Sequence, residues 1–162
     1  SWLPSSLSNI NSAAQLSRKP SVTFEATRTA LATKLEALRT SFPGGPPTLE
    51  YDNRVTIDPA KHVKPWLQVE LDYRDGYQAD LSAKPIHRML GAIRLTAWVK
   101  AGAGRKECDD LLQWFYPALQ MTNSIPPLRT RAAIPLAKVT DQQRNLVGYG
   151  VAIPFWTDDY PS

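Results

Sequence analysis

Two segments of the chain alternate between apolar and polar residues, and this pattern constrains the fold more than any other feature. In residues 66–73 every second residue is apolar, so one face of the segment is apolar and the other is polar. Residues 87–100 alternate again, with one apolar side and one mixed side. Strands of a parallel sheet are buried on both faces and have continuous apolar runs. The alternation therefore predicts an antiparallel sheet that is covered on one face.

Two helices are expected from apolar residues at helical spacing. The first covers roughly 22–41, with Ser21 as its N-cap, and ends at the glycine- and proline-rich segment 43–47. The second follows Gly104, and Pro117 predicts that it ends or kinks at Tyr116. The expected inner residues are Phe24, Leu31, Leu35, Leu38 and Phe42 in the first helix, and Cys108, Leu111, Leu112, Phe115 and Leu119 in the second.

The rest of the chain supplies further strands and connections. We expect a short strand at 48–57, a protruding polar loop at 74–86, and closing strands at about 128–139 and 146–156. The resulting order, α-β-β-β-α-β-β, predicts an α+β fold in which two helices pack on one face of a mainly antiparallel sheet. Residues 1–20 show no sustained period and are expected to form an extended arm, which leaves 21–162 as a single domain.

Residues that could carry catalysis or bind a metal are few. The sequence has no nucleophile elbow, no phosphate-binding loop and no zinc-protease motif. Its two histidines, His62 and His87, are 25 residues apart, and its one cysteine, Cys108, belongs to the inner stripe of the second helix. Gly102 and Gly104 match the opening of a dinucleotide fingerprint, but Glu107 stands in place of the third glycine. We therefore expect no enzyme, no cofactor and no metal site.

The distribution of charge suggests a contact with another macromolecule. The net charge of +4 lies entirely in the second half of the chain, and six basic residues with no acidic one occur between Lys84 and Lys106. Such a run fits nucleic acid, a solvated face or an acidic neighbouring subunit, and the last two are favoured because the residues are spread over a strand and a loop. Trp98, on the mixed side of its strand, is a candidate interface anchor.

The location of the protein is indicated by three features of the sequence. No stretch is apolar enough to span a membrane. The first residues lack the features of a secretory signal. A single cysteine fits a reducing compartment such as cytoplasm.

The segment from Ala97 to Gly104, followed by a helix, resembles the strand, glycine turn and second helix of the tail terminator proteins of long-tailed bacteriophages. The opening helix, a strand ending at Tyr51-Asp52-Asn53, the strand from Trp66 to Tyr73, the polar loop and the closing strands occur in that family's order, so the resemblance covers about residues 21–157. It implies a subunit that assembles into a homo-hexameric ring, caps the finished tail tube and stops its polymerisation.

The same resemblance implies the partners and the location of the protein. These are the tail tube protein and a neck or head-completion protein, at the head-proximal end of the virion tail after assembly in the host cytoplasm. The genome would pass through the ring lumen without specific binding. Alternatives are another head-tail connector, such as a neck or head-closure protein, and a basic nucleic-acid-binding module. The candidate subunit and tube interface consists of Arg74, Asp75, Tyr77, Arg88, Arg94, Trp98, Arg105 and Lys106.

Overall fold

The computed structural model describes residues 24–51, 64–78 and 87–159. The expected arm, Ser21, His62, most of the predicted strand at 48–57 and residues 79–86 of the predicted loop lie outside these ranges. The described helices are α1 (Phe24–Thr40) and α2 (Lys106–Leu119). The described strands are β1 (Leu49–Tyr51), β2 (Trp66–Gln78), β3 (His87–Lys100), β4 (Arg129–Thr130), β5 (Ile134–Pro135), β6 (Val139–Asp141) and β7 (Leu146–Asp159).

All the described strands belong to one sheet. Its order is β1-β2-β3-β7-β4, and β5 and β6 also pair with β7. The pairing of β1 with β2 is parallel, and every other described pairing is antiparallel. The predicted α+β class is confirmed, and the order of the elements follows the predicted order closely.

The hydrophobic core lies between the two helices and one face of the sheet. In the central strand β3, Ile93 lies between Leu71 and Ile153, and Leu95 lies between Val69 and Val151. These strand residues and the inner residues of both helices form one hydrophobic cluster. Full burial of an aliphatic side chain stabilises a fold by about 1.5–3 kcal/mol, so this cluster fixes which face of each strand points inward. Among the described residues no helix covers the opposite face, which we term the helix-free face.

The predicted inner residues of the helices are confirmed with one exception. Leu31 and Leu35 of α1 are buried, and so are all five predicted residues of α2. Phe24, however, is 55% exposed. It lies in the first turn of α1, where its ring packs against Tyr73 with 4.7 Å between the ring centroids. Where α1 ends, the indole nitrogen of Trp114 donates a hydrogen bond of 2.8 Å to the carbonyl of Leu38, which joins the two helices.

The predicted loop at 74–86 is wrong for its first five residues. β2 continues to Gln78 and pairs with β3 as far as His87. A register shift between Tyr73 and Asp75 inserts an extra residue into β2. A bulge of this kind changes which residues face the same side of the sheet, so the alternation before it cannot be continued through it. The polar composition of the segment then resembles that of a loop.

The predicted strand at 128–139 is also wrong, because three short strands replace it. β4, β5 and β6 each pair with a different part of β7. From Thr130 to Ile134, and again from Pro135 to Val139, the segment advances four residues while β7 advances three, so each gap holds one extra residue that interrupts the ladder. The last predicted strand is confirmed, and it extends beyond 156 to Asp159.

Pro117 does not end α2 at Tyr116, as its local preference predicts. The helix continues to Leu119, whose side chain is fully buried. Pro117 lies in the last turn, so the loss of its N–H removes only one hydrogen bond near the end of the helix. The carbonyl of Tyr116 still accepts a hydrogen bond of 3.0 Å from the N–H of Gln120. Burial of the last turn therefore outweighs the preference of proline.

In the described part of the chain, no helix has the length and apolarity required to cross a membrane.

Candidate functional site

Three of the predicted interface residues, Arg88, Arg94 and Trp98, lie on the helix-free face of β3. Their positions alternate with those of Ile93 and Leu95, which face the core. At about 3.3 Å per residue, they are spread over roughly 30 Å of strand. Each of them contacts residues of its own chain, and these contacts decide how much of each side chain is available to a partner.

Trp98 is held in one position on this face. Its indole nitrogen donates a hydrogen bond of 2.7 Å to the side-chain oxygen of Gln68. The ring lies over Gly148, where an added Cβ would come within 3.0 Å of two ring carbons. The guanidinium of Arg144 is 5.9 Å from the ring centroid. Because Trp98 is half-buried and fixed from three directions, it offers a partner a rigid aromatic edge.

Arg88 and Arg94 each form an ion pair across the sheet. Arg88 pairs with Asp158 of β7 at 2.7 Å, and Arg94 approaches Glu70 of β2 to 3.9 Å. Arg88 also lies 6.0 Å from the ring centroid of Trp156, and the guanidinium of Arg131 lies 5.0 Å from the same centroid. Part of the basic charge that the sequence shows is therefore neutralised within the subunit.

Arg105 and Lys106 stand elsewhere, where β3 turns into α2. Gly102 and Gly104 form this turn with φ values of 87° and 89°, which only glycine adopts without strain. Arg105 pairs with Asp109 at 3.0 Å, and this hydrogen bond raises the pKa of its guanidinium. The same guanidinium lies 4.6 Å from the ring centroid of Tyr149, which packs against the core on the helix side.

The structure does not bring the eight predicted interface residues into one patch. Arg74 is exposed within the bulged part of β2, and Asp75 and Tyr77 pair with Leu90 and Arg88. These residues lie at one end of β3, and Arg105 and Lys106 follow its other end, about 40 Å away at the rise of an extended strand. The eight residues therefore lie toward both ends of the sheet, and their role in subunit or tube contacts stays a prediction.

An exposed apolar feature on the β4–β6 side of the sheet was missed by the sequence analysis. Ile134 and Val139 are each 52% exposed, and Leu136 is 36% exposed. Ile134 pairs with Ala152, Val139 pairs with Gly148, and the N–H of Leu136 donates to the carbonyl of Gly150 at 2.9 Å. We term Ile134, Leu136 and Val139 the apolar ridge. In the sequence, the ridge corresponds to a run of mostly apolar residues around a proline, in which apolar and polar residues do not alternate.

A groove lies at the opposite edge of the sheet, between α1 and the strands β1 and β2. It has a volume of about 490 Å³. Apolar side chains of Leu31, Val69 and Leu71 line it, and Glu25, Arg28 and Glu36 are its charged residues. The sequence could not reveal this groove, because residues from three elements form it.

The two edges of the sheet differ in charge. The residues of β1 and β2 include four acidic and one basic residue. Segment 129–144, which contains β4, β5 and β6, has four basic residues and one acidic residue. The single acid of that segment, Asp141, is paired with Arg144 at 2.7 Å, and this hydrogen bond lowers the pKa of its carboxyl. The charge separation along the sequence thus becomes a separation in space across one sheet.

The described residues contain a second cleft but no recognisable catalytic group. The cleft, of about 660 Å³, lies between segment 43–47 and α2, and its charged lining residues are Lys64, Glu107 and Asp110. No group of three His, Cys, Asp or Glu side chains within the described ranges is placed to hold a metal ion. Cys108 is buried, and desolvation, with the nearby charges of Asp109 and Glu107, raises the pKa of its thiol to about 11. The thiol is therefore protonated at neutral pH and unsuited to act as a nucleophile.

Comparisons with known proteins bear on the fold alone. No protein-family model matches the sequence, and no curated protein matches it. One solved structure aligns with 87% of this chain and 99% of its own chain at a TM-score of 0.55 and 15% sequence identity. This similarity shows that the α+β arrangement occurs in another protein. The name of that structure states no activity.

Proposed function

We propose that the protein is a tail terminator of a long-tailed bacteriophage. In this function it forms a ring that caps the tail tube, ends tube polymerisation and provides the attachment surface for the capsid neck. The observation that carries the proposal is the difference between the two edges of the sheet. One edge is acidic and has a groove, and the other is basic and has the apolar ridge. A contact between two unlike patches joins subunits head to tail, and such contacts form a ring when the rotation closes.

The assignment to a phage tail is supported by the resemblance of residues 97–104 and the following helix to that family. In this chain the segment comprises the end of β3, a turn with two glycines at positive φ, and the start of α2. The order of the elements also agrees with the expected order. It is α-β-β-β-α followed by further strands, of which β4, β5 and β6 pair with β7, and β7 pairs with β3. We propose a homo-hexamer whose partners are the tail tube protein and a neck protein.

The proposal is tested by adding the purified protein to polymerising tube protein. We expect native mass spectrometry to give a hexamer, alone or bound to tubes, and electron microscopy to show shorter tubes with a ring at one end. The control is tube protein with an equal mass of an unrelated basic protein. Binding to capsid connectors without any effect on tube length would favour a neck or head-closure protein instead. Tight binding to duplex DNA without tube binding would favour a nucleic-acid-binding module.

A further inference from the structure

We infer that the apolar ridge and the basic residues around it form a docking surface for a partner protein. The docked segment of that partner carries carboxylates beside aliphatic side chains. The basic residues are Arg129, Arg131 and Lys138. The inference goes beyond the proposed function, because it states the chemistry of a docked segment and holds whether the partner is a tail protein or another protein.

The side chains of the apolar ridge project from the helix-free face of the sheet and not from its edge. Directly paired residues of neighbouring antiparallel strands project to the same side. Two rows of paired residues reach from the ridge to β3; one is Ile134, Ala152 and Arg94, and the other is Val139, Gly148 and Trp98. Leu136 lies between these rows, since its Cδ1 is 3.5 Å from the position of a Cβ added at Gly150. A contact between the edges of two subunits therefore leaves the ridge accessible.

The part of β7 between the ridge and β3 bears small residues on this face. The ring of Trp98 lies over Gly148, and Leu136 approaches Gly150, so the surface between them is low. Ile134 and Val139 nevertheless remain 52% exposed. Single exposed apolar residues are ordinary, but neighbouring ones that continue to an aromatic edge mark an interaction site.

The basic residues around the ridge are not neutralised within the described part of the chain. Arg129, Arg131 and Lys138 are exposed, and none of them has a carboxylate of the described ranges within ion-pair distance. The single acidic residue of segment 129–144 is already paired with Arg144. A partner that brings carboxylates therefore meets three cations that no described carboxylate satisfies, and unlike charges attract at short range.

The contact is made through side chains, because the edge of β5 does not favour an added strand. The N–H of Leu136 donates inward, to the carbonyl of Gly150. N–H groups point alternately to the two sides of a strand, so the outward position next to Leu136 falls on Pro135, which has no N–H. Proline at such a position prevents a regular ladder with a further strand.

Other occupants fit these features less well. Two ridges that face each other bring their unneutralised cations together, and like charges repel. Single-stranded nucleic acid requires aromatic faces on which bases stack. The side chains of the ridge are aliphatic, and the ring of Trp156 already has the guanidinium groups of Arg131 and Arg88 at 5.0 and 6.0 Å from its centroid. Aliphatic residues flanked by cations fit a protein segment in which carboxylates flank aliphatic residues.

Three short peptides test this chemistry on the full chain. One alternates glutamate with valine, one alternates glutamate with serine, and one alternates lysine with valine. We expect the glutamate–valine peptide to bind about tenfold more tightly than either of the others. In nitrogen–proton correlation NMR spectra it should shift the backbone signals of segment 129–139 and the indole signal of Trp98.

Two substitutions test the apolar and the ionic part of the surface separately. Ile134→Ser removes an aliphatic contact, and Arg131→Gln removes a cation. Each should weaken binding of the glutamate–valine peptide about fivefold. Only the loss in Arg131→Gln should shrink as the salt concentration rises, because salt screens exposed charges. The matched controls, Met121→Ser at a 74% exposed residue outside the ridge and Arg28→Gln on α1, should bind like the wild type. Thermal unfolding shows whether the four variants are folded.

Several results overturn the inference. They are equal binding of all three peptides, unchanged affinity in both folded variants, shifts confined to other surfaces, and no shift at the highest soluble peptide concentration. Shifts of the same signals by DNA, or loss of these signals on adding phosphatidylserine vesicles, without any by the glutamate–valine peptide, assign the surface to a nucleic acid or a membrane. Shifts that depend on protein concentration alone assign it to a second copy of the chain.

The failure of this inference and the failure of the proposed function give different results. If the peptides do not bind but the protein still forms rings that arrest tube growth, the proposed function stands and the inference is wrong. If the peptides and variants behave as expected but the wild-type protein neither binds tubes nor limits their length, the docking surface stands and the proposed function is wrong.

Discussion

Arg88 and Asp158 lie directly opposite each other on β3 and β7 and form a bidentate ion pair. The Nε and Nη2 atoms of Arg88 donate to Oδ1 and Oδ2 of Asp158, at 2.7 and 3.0 Å. The side chain of Asp158 is only 10% exposed. The pair therefore stabilises the fold, and the basic charge of Arg88 is largely satisfied within its own subunit.

The first prediction is that Asp158→Asn destabilises the protein. The amide keeps one acceptor but loses the charge, so Arg88 loses its charged partner in a half-buried position. We expect a loss of about 1–2 kcal/mol in the free energy of unfolding, measured by urea titration. Asp109→Asn is the control, because Asp109 pairs with Arg105 in a position where both side chains are more than half exposed. Its loss should be below about 1 kcal/mol, and equal losses in the two variants would contradict the interpretation.

The second prediction concerns the close packing at Gly91. A Cβ at this position would lie 2.2 Å from the carbonyl oxygen of Asp72 and 2.6 Å from the ring of Phe155. Gly91→Ala must therefore move β2 or the core ring, and we expect it to cost about 3 kcal/mol, with a clear drop in Tm. Gly76→Ala is the matched control in β2, since its Cβ would meet nothing closer than 3.7 Å. A Tm for Gly91→Ala equal to that of Gly76→Ala would show that this packing is not tight.

Local periodicity predicts the helices and the central strands of this fold. β3 pairs with a strand on each side and faces the core with every second residue, so its alternation is uninterrupted. The α2 stripe is equally regular, because one face of that helix lies on the sheet. The errors occur where a single residue changes the pattern. The bulge after Tyr73 reverses the faces of β2, and one extra residue in each of two gaps divides the edge segment into three short strands.

The candidate site is less predictable, because it depends on which elements meet at the edges of the sheet. The alternation correctly placed Arg94 and Trp98 on the face opposite the core. It could not show that Arg94 is paired with Glu70, nor that Arg105 lies beside Tyr149 on the helix side. The ridge formed by Ile134, Leu136 and Val139 was hidden, because these residues were assigned to one regular strand.

The third prediction concerns stability at alkaline pH. The pKa of Cys108 is raised from 9.0 to about 11 in the folded protein, so the thiol of the unfolded chain ionises first as the pH rises. The folded state then holds a proton that the unfolded state has lost, and the free energy of unfolding falls between about pH 9 and pH 11. The loss from this group should be on the order of 2 kcal/mol at the upper end of that range.

The measurement for Cys108 is a difference between two proteins, because lysines and tyrosines ionise in the same range. Urea unfolding of the wild type and of Cys108→Ala should give curves that converge as the pH rises from 8 to about 11. The alanine variant will be less stable at pH 8, since it leaves a small cavity in the hydrophobic cluster to which the buried Cys108 belongs. Two curves that remain parallel over this range would show that the thiol has an ordinary pKa.

The last prediction separates a structural subunit from a nucleic-acid-binding module. Of the basic residues along β3 and the following turn, Arg88, Arg94 and Arg105 each have a carboxylate partner in the same chain. Lys100 and Lys106 are exposed and remain available for phosphate contacts. Each phosphate contact adds about 0.9 to the slope of log affinity against log salt, so two contacts give a slope near −2. We therefore expect duplex binding weaker than micromolar at ~150 mM salt, with a slope no steeper than about −2.

Fluorescence anisotropy with a labelled duplex, measured across salt concentrations, provides both the affinity and the slope. Lys100→Gln combined with Lys106→Gln should weaken the residual binding without changing self-association. A slope steeper than about −3 with submicromolar affinity would mean that the ion-paired arginines also contact phosphates, and it would favour the nucleic-acid-binding function.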